Sequence, residues 1–175
     1  MKDYPLISVN GYSEKIGALV WMLENARSVT LDEVMALNED KLDTRLQGNG
    51  NTIATLLMHI AAIEYVHQIL TFEQRDLTEK EYAKWQSALE LGEKACEVYK
   101  QQPLSYYITV LQQVREQTLT FLKTQHDSWL FEEDKWPNGV PINHYYLWYH
   151  MLEDEISHRG QIRMMIRQLS ENKCH

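Results

Sequence analysis

The chain has 175 residues, of which 44% are apolar, with five Trp and ten Tyr. That suffices to bury roughly two-thirds of the unfolded surface in a single domain spanning residues 1–175 without disulfide staples, and it excludes intrinsic disorder. The formal net charge of -8, with Lys and Arg scattered along the chain, argues against nucleic acid as a partner, because phosphate neutralisation needs a local basic surface.

Cys96 and Cys174 form neither a CxxC pair nor a disulfide framework, which points to a reduced, cytoplasmic setting. The start MKDYPLISVNGYSEK has no apolar leader core. Charges interrupt the apolar stretches before the ~20 residues a membrane span needs, so no membrane is expected.

In chain order, YSEKIGALVWMLENAR at residues 12–27 places Ile16, Leu19, Val20 and Leu23 at helical spacing and predicts a first helix. In residues 28–38, Thr30 with Glu33 has the pattern of a capping box opening a further short helix. QGNGN at residues 47–51 reads as a loop, with Asn51 or Thr52 capping a second long helix over residues 52–74. Residues 77–100 read as a polar, partly helical excursion with a thin seam of Trp85, Leu89 and Leu91. Pro103 suits the start of a third long helix running to about residue 125.

Residues 126–140 form an aromatic loop with a turn at Pro137, Asn138 and Gly139. Pro141 then opens a last helix to about residue 170. No strand pattern competes, so the predicted architecture is all-α, a four-helix bundle.

The chemistry concentrates in HMLEDEISHRGQI at residues 150–162, where His150, Asp154 and His158 follow at i, i+4 and i+8 on one helical face. His150 and His158 lie about 12 Å apart along the axis and cannot share one ion. The pair is therefore His150 with Asp154 or Asp154 with His158, completed from the second helix by His59 or His67. Either choice gives two imidazoles and one carboxylate, a set that leaves coordination positions open. A hydrogen-bonded core His is the alternative for His59, and an i, i+4 surface pair for Asp154 and His158. Leu152, Ile156 and Ile162 set the apolar stripe beside that pair, where an unpartnered carboxylate would be costly to bury. Glu153 and Glu155 read as solvated. Met151, Met164 and Met165 read as core filling, and Tyr145, Tyr146, Trp148 and Tyr149 mostly as packing, with lining of a pocket as the alternative. Motifs of zinc proteases, serine hydrolases and nucleotide-binding loops are absent from the sequence.

Two of these segments, TIATLLMHIAAIEYVH at residues 52–67 and HMLEDEISHRGQI, resemble the DinB-like metal-binding bundles, in particular the branch of thiol-dependent S-transferases that includes mycothiol-dependent maleylpyruvate isomerase. The resemblance implies an up-down-down-up bundle, commonly a homodimer. It places the metal ligands at His59, Asp154 and His158, with His150 behind them to orient Asp154 or a bound ligand. Many members carry His, and the transferase branch usually Glu, where this chain has Asp154. It further implies a divalent ion, zinc first with nickel, manganese or iron also compatible, and a small-molecule substrate. A low-molecular-weight thiol joined to an electrophile is the leading activity, and a non-catalytic, stress-related metal-binding protein is the alternative.

Overall fold

A computed structural model describes residues 5–45, 50–136 and 138–171. Four long helices build the bundle: α1 (Glu14–Val34), α3 (Ile53–Phe72), α6 (Leu104–Leu122) and α7 (His144–Glu171). Between them lie the short α2 (Glu39–Asp43), α4 (Glu79–Glu90) and α5 (Gly92–Val98), then a 3-10 turn at Asp127–Phe131 and strands β1 (Glu133–Lys135) and β2 (Pro141–Asn143).

Cross-helix bonds fix the topology. Residues 27 and 33 of α1 meet residues 155 and 163 of α7, so these helices run parallel. Residues 64 and 68 of α3 meet residues 115 and 118 of α6, so that pair is also parallel. His59 and Thr71 of α3 meet Asp154 and Trp148 of α7 in the opposite order. The result is the up-down-down-up bundle, with α3 packed against both α6 and α7.

Several local expectations change. No helix starts at Thr30, because α1 continues unbroken through it; Thr30 is fully buried and its hydroxyl donates to the Ala26 carbonyl one turn back, satisfying itself within the helix. Thr52 does cap α3, exchanging bonds with Thr55. Residues 46–49, and with them most of the expected QGNGN loop, lie outside the described residues. Helix α3 is long and apolar enough to cross a membrane by composition, with Glu64 its one charge among the residues before Phe72, but 78% of its most apolar window is buried as the core of the bundle.

The last helix begins at His144 rather than at Pro141, and strands do occur. Pro141 pairs with Lys135 at the end of a short antiparallel ladder, and Asn143 Oδ1 accepts from the Tyr146 N–H at 2.8 Å to start α7. The turn of this hairpin is closed by Gly139, which takes φ +81°, donating to the Trp136 carbonyl. Pro137 lies outside the described residues. Ile156 and Met164 are exposed rather than buried, as are Tyr146 and Tyr149, while Trp148 and Met151 fill the core.

The apolar core falls into two clusters. One, around Val34, Leu57, Leu111 and Ile162, fills the end near the C-terminus of α1. The other, around Leu19, Leu23, Leu122 and Trp148, fills the opposite end. Between them lies a buried layer of charge. Arg27 of α1 donates to Glu155 of α7 (3.0 Å) and Glu64 of α3 (2.8 Å), and Arg115 of α6 donates twice to Glu64 (2.6 and 3.0 Å). Thr118 donates a further bond to Glu64 at 2.7 Å. Glu155, which the sequence suggests is solvated, is 1% exposed. Two guanidinium groups facing two carboxylates cancel formally, and each helix of the bundle contributes one of the four charges.

Candidate metal centre

One turn from this layer, on the seam between α3 and α7, His59, Asp154 and His158 come together. Helix α3 turns His59 inward because its flanking Leu56, Leu57, Ile60 and Ala61 are all core residues. Asp154 and His158 project from successive turns of α7. Asp154 lies between the imidazoles, with Oδ1 3.4 Å from His158 Nε2 and Oδ2 3.8 Å from His59 Nε2. The two rings meet edge to face at 4.7 Å between centroids. One potential ligand atom from each of the three side chains lies within 4.8 Å of the others, which is true of no other group of three His, Cys, Asp or Glu among the described residues.

The backbone fixes the orientation of His59. Helix α4 is broken from α5 at Leu91 and Gly92, whose φ values of +58° and +76° turn the chain out of the helix. The Gly92 N–H, which would have bonded to Ala88 in a continuous helix, instead donates to Asn51 Oδ1 at 2.9 Å, beside the cap of α3. The Ala88 carbonyl accepts from His59 Nδ1 at 2.8 Å. That bond occupies Nδ1, so Nε2 is the ring nitrogen left on the Asp154 side.

Burial raises the Asp154 carboxyl, but hydrogen bonding and the charges of His158 and His59 outweigh it and hold the group well below the usual carboxylate range. It is therefore ionised at neutral pH. Its Oδ2 is buried and has no hydrogen-bond partner, nor has His158 Nδ1. Ligand atoms about 2.0–2.2 Å from a tetrahedral ion stand roughly 3.4 Å apart, close to the spacings seen here. The donor set and its orphaned oxygen thus fit a divalent cation.

His150 stands at the rim, with its side chain half exposed, its ring parallel to that of Tyr146 at 6.1 Å and Nδ1 3.6 Å from Glu153. Its near carboxylate is Glu153. His67 lies two turns beyond His59, against His150 and Trp148. Beyond Ile63, one turn from His59, a cleft of about 820 Å³ opens between α3, α4 and the β1–β2 hairpin. Ile63, Val66, Leu70, Leu89 and Trp136 make its walls largely apolar, and Arg75 and Lys135 with Asp76, Glu79 and Asp134 bring charge of both signs; none of the three potential ligands lines it. The 77–100 excursion therefore has two tasks: Trp85 and Ala88 are buried against the core, and Ala88 holds His59.

Sequence reasoning missed the Ala88 carbonyl and the charged layer. A signal for the second did exist, because Glu64 is the lone charge on an otherwise apolar helix. Nothing local indicates its partners 37 and 51 residues away.

Against known proteins, residues 18–171 match the family model described as mycothiol S-transferase. No curated protein matches the sequence. Among solved structures, YfiT from Bacillus subtilis, described as a probable metal-dependent hydrolase with an unusual four-helix bundle topology, is 18% identical, with a TM-score of 0.62 over 97% of this chain and 94% of that one. A protein from Streptococcus pneumoniae is 15% identical with a TM-score of 0.64, over 95% and 94% of the two chains. A conserved protein from Enterococcus faecalis is 17% identical with a TM-score of 0.62, over 85% and 93%. At such identities the likeness to these structures is one of fold.

Proposed function

Because the chain belongs to the mycothiol S-transferase family, we propose that it is a divalent-metal-dependent enzyme that joins a low-molecular-weight thiol to a small electrophile. The observation that carries this reading is the convergence of His59 Nε2, His158 Nε2 and the Asp154 carboxylate, with Asp154 Oδ2 left unpartnered. These three side chains would hold the ion and leave at least one coordination position for a ligand. When bound, the ion would act as a Lewis acid that favours thiolate over thiol at neutral pH.

The chain's own groups do the rest. Ala88 fixes the His59 tautomer, and Asp154, kept ionised, offsets part of the ion's charge. The cleft beyond Ile63, with its largely apolar walls, offers room for the electrophile. The mixed nitrogen and oxygen set suits zinc first, with nickel, manganese and iron compatible. A homodimer belongs to the same reading, supported by the exposed row of Tyr146, Tyr149, Ile156 and Met164 on α7.

A second reading, a metal-binding protein without catalysis, is supported by the position of the site, where an ion would tie α3 to α7. Elemental analysis of the untreated protein, followed by an assay of thiol conjugation to monochlorobimane across a panel of small thiols, separates the two. Stoichiometric metal with metal-dependent conjugation supports the transferase. Metal with no conjugation, but a lower melting temperature on chelation, supports the structural role. A metal-free protein that folds normally refutes both, and hydrolysis of the electrophile by water would replace the transferase by a hydrolase.

A further inference from the structure

His67 is 5% exposed on the α7-facing side of α3. Its Nδ1 donates to the Ile63 carbonyl at 2.8 Å, so in the neutral ring Nε2 is an acceptor. That buried acceptor has no partner. Leaving such a group unpaired is costly relative to satisfying it. Burial holds the imidazole below its ordinary range, and His150 adds to that effect against the opposing Ile63 carbonyl, so charging the ring does not relieve it.

What surrounds this acceptor defines its complement. His150 stands 6.1 Å away across the α3–α7 seam, half exposed, with Glu153 beside it. Asp154 and Glu64 are the carboxylates whose charge His67 feels; Glu64 is held by two arginines and Asp154 lies between His59 and His158. Carboxylates donate no hydrogen bond when ionised, so what His67 lacks is a donor. His67 lies eight residues from His59 along α3, and His150 four residues from Asp154 along α7. The pair therefore sits between about 6 and 12 Å from the metal ligands along the seam.

We propose that His67, with His150 at its outer edge, is a recognition subsite for the hydrogen-bond-donating end, an ammonium or hydroxyl group, of the thiol whose sulfur goes to the His59, Asp154 and His158 centre. The proposal rests on the transferase reading and adds to it a substrate class: thiols that carry an amine or hydroxyl several bonds from sulfur. His67 is the specificity-determining residue, and His150, stacked on Tyr146, sits where the ligand would enter.

The test uses zinc-loaded full-length protein and two series of probes, ω-aminoalkanethiols and n-alkanethiols with two to eight carbons, compared by titration calorimetry. At a chain length matching the 6–12 Å span, the amine series binds about tenfold or more tighter than its apolar counterpart, the yield of one hydrogen bond to a charged donor. His67→Leu abolishes that preference while leaving alkanethiol binding in place, and His67→Gln retains part of it. In the wild-type protein, the 15N resonance of His67 Nε2 moves on adding the amine and not on adding the alkanethiol. Equal binding of the two series, or an Nε2 resonance that neither moves, means that an ordered water satisfies His67 and overturns the subsite alone. Failure of every thiol to bind overturns the transferase reading together with it.

Discussion

Replacing Glu64 by Gln tests the charged layer with almost no change of volume. In the wild type Glu64 is fully buried and receives bonds from Arg27, Arg115 and Thr118. The amide keeps the shape but leaves two guanidinium groups facing only Glu155 and the partly exposed Glu24. Breaking a buried ion pair by removing one partner costs about 3–5 kcal/mol. For a chain of this size each kcal/mol moves the melting temperature by about 2–4 °C, so a fall of roughly 6–20 °C is expected by thermal circular dichroism. The exposed Glu116→Gln, on the same helix as Arg115, should move it by less than about 2 °C. The pH dependence supplies a second readout. Although burial alone would raise it, Arg115 and Arg27 hold the Glu64 carboxyl down at about 2, against an ordinary 4.5. A depressed carboxyl contributes its full stabilisation above the unfolded value and loses it as pH falls through the folded one. The gap between wild type and Glu64→Gln should therefore be widest above pH 4.5 and narrow towards pH 2. A variant that melts within 2 °C of the wild type at pH 7 would refute the reasoning.

The two glycines within the long helices should respond oppositely to Ala. At Gly17 a Cβ would meet Ser8 Oγ at 2.1 Å and the backbone of Val9 at 2.9 Å, so Gly17→Ala must displace the segment lying on α1 and should destabilise by about 1–3 kcal/mol in guanidinium unfolding. At Gly160 nothing lies within 4 Å, and Gly160→Ala should stabilise by about 0.5–1 kcal/mol through helix propensity. Asp154→Asn removes the charge but keeps the shape at the centre; bound metal after dialysis should fall well below that of the wild type, and unchanged stoichiometry would remove Asp154 from the ligand set.

What could be read from the sequence follows the range of the interaction concerned. The long helices were legible because periodicity is local, and the spacing of Asp154 and His158 already put them on one face. Choosing His59 over His67 was different. Both lie on the inner side of α3, and it takes the antiparallel pairing of α3 with α7 to set His59 opposite Asp154 and His67 opposite His150. Glu155 was misjudged because a carboxylate beside Asp154 and Ile156 carries no mark of the arginine that meets it 128 residues away. Pro141 misled for the opposite reason: its local preference for a first helical turn is real, but pairing with Lys135 and the cap offered by Asn143 move the helix start by three residues.

The break at Leu91 bears on how such a centre can be tuned. Because the chain leaves the helix there, the Ala88 carbonyl is spent on an imidazole instead of on the next turn of its own helix. The orientation of His59 is thus set from outside the four-helix frame, by a peripheral hairpin of two short helices joined to it at Asn51. Exchanging that hairpin for another of different length would re-aim the imidazole while leaving the core residues of the four long helices in place, provided the substitute refills the positions of Trp85, Ala88 and Ala95. One scaffold can in this way carry a differently aimed His59 beside the same Asp154 and His158, with the adjustment made at its margin.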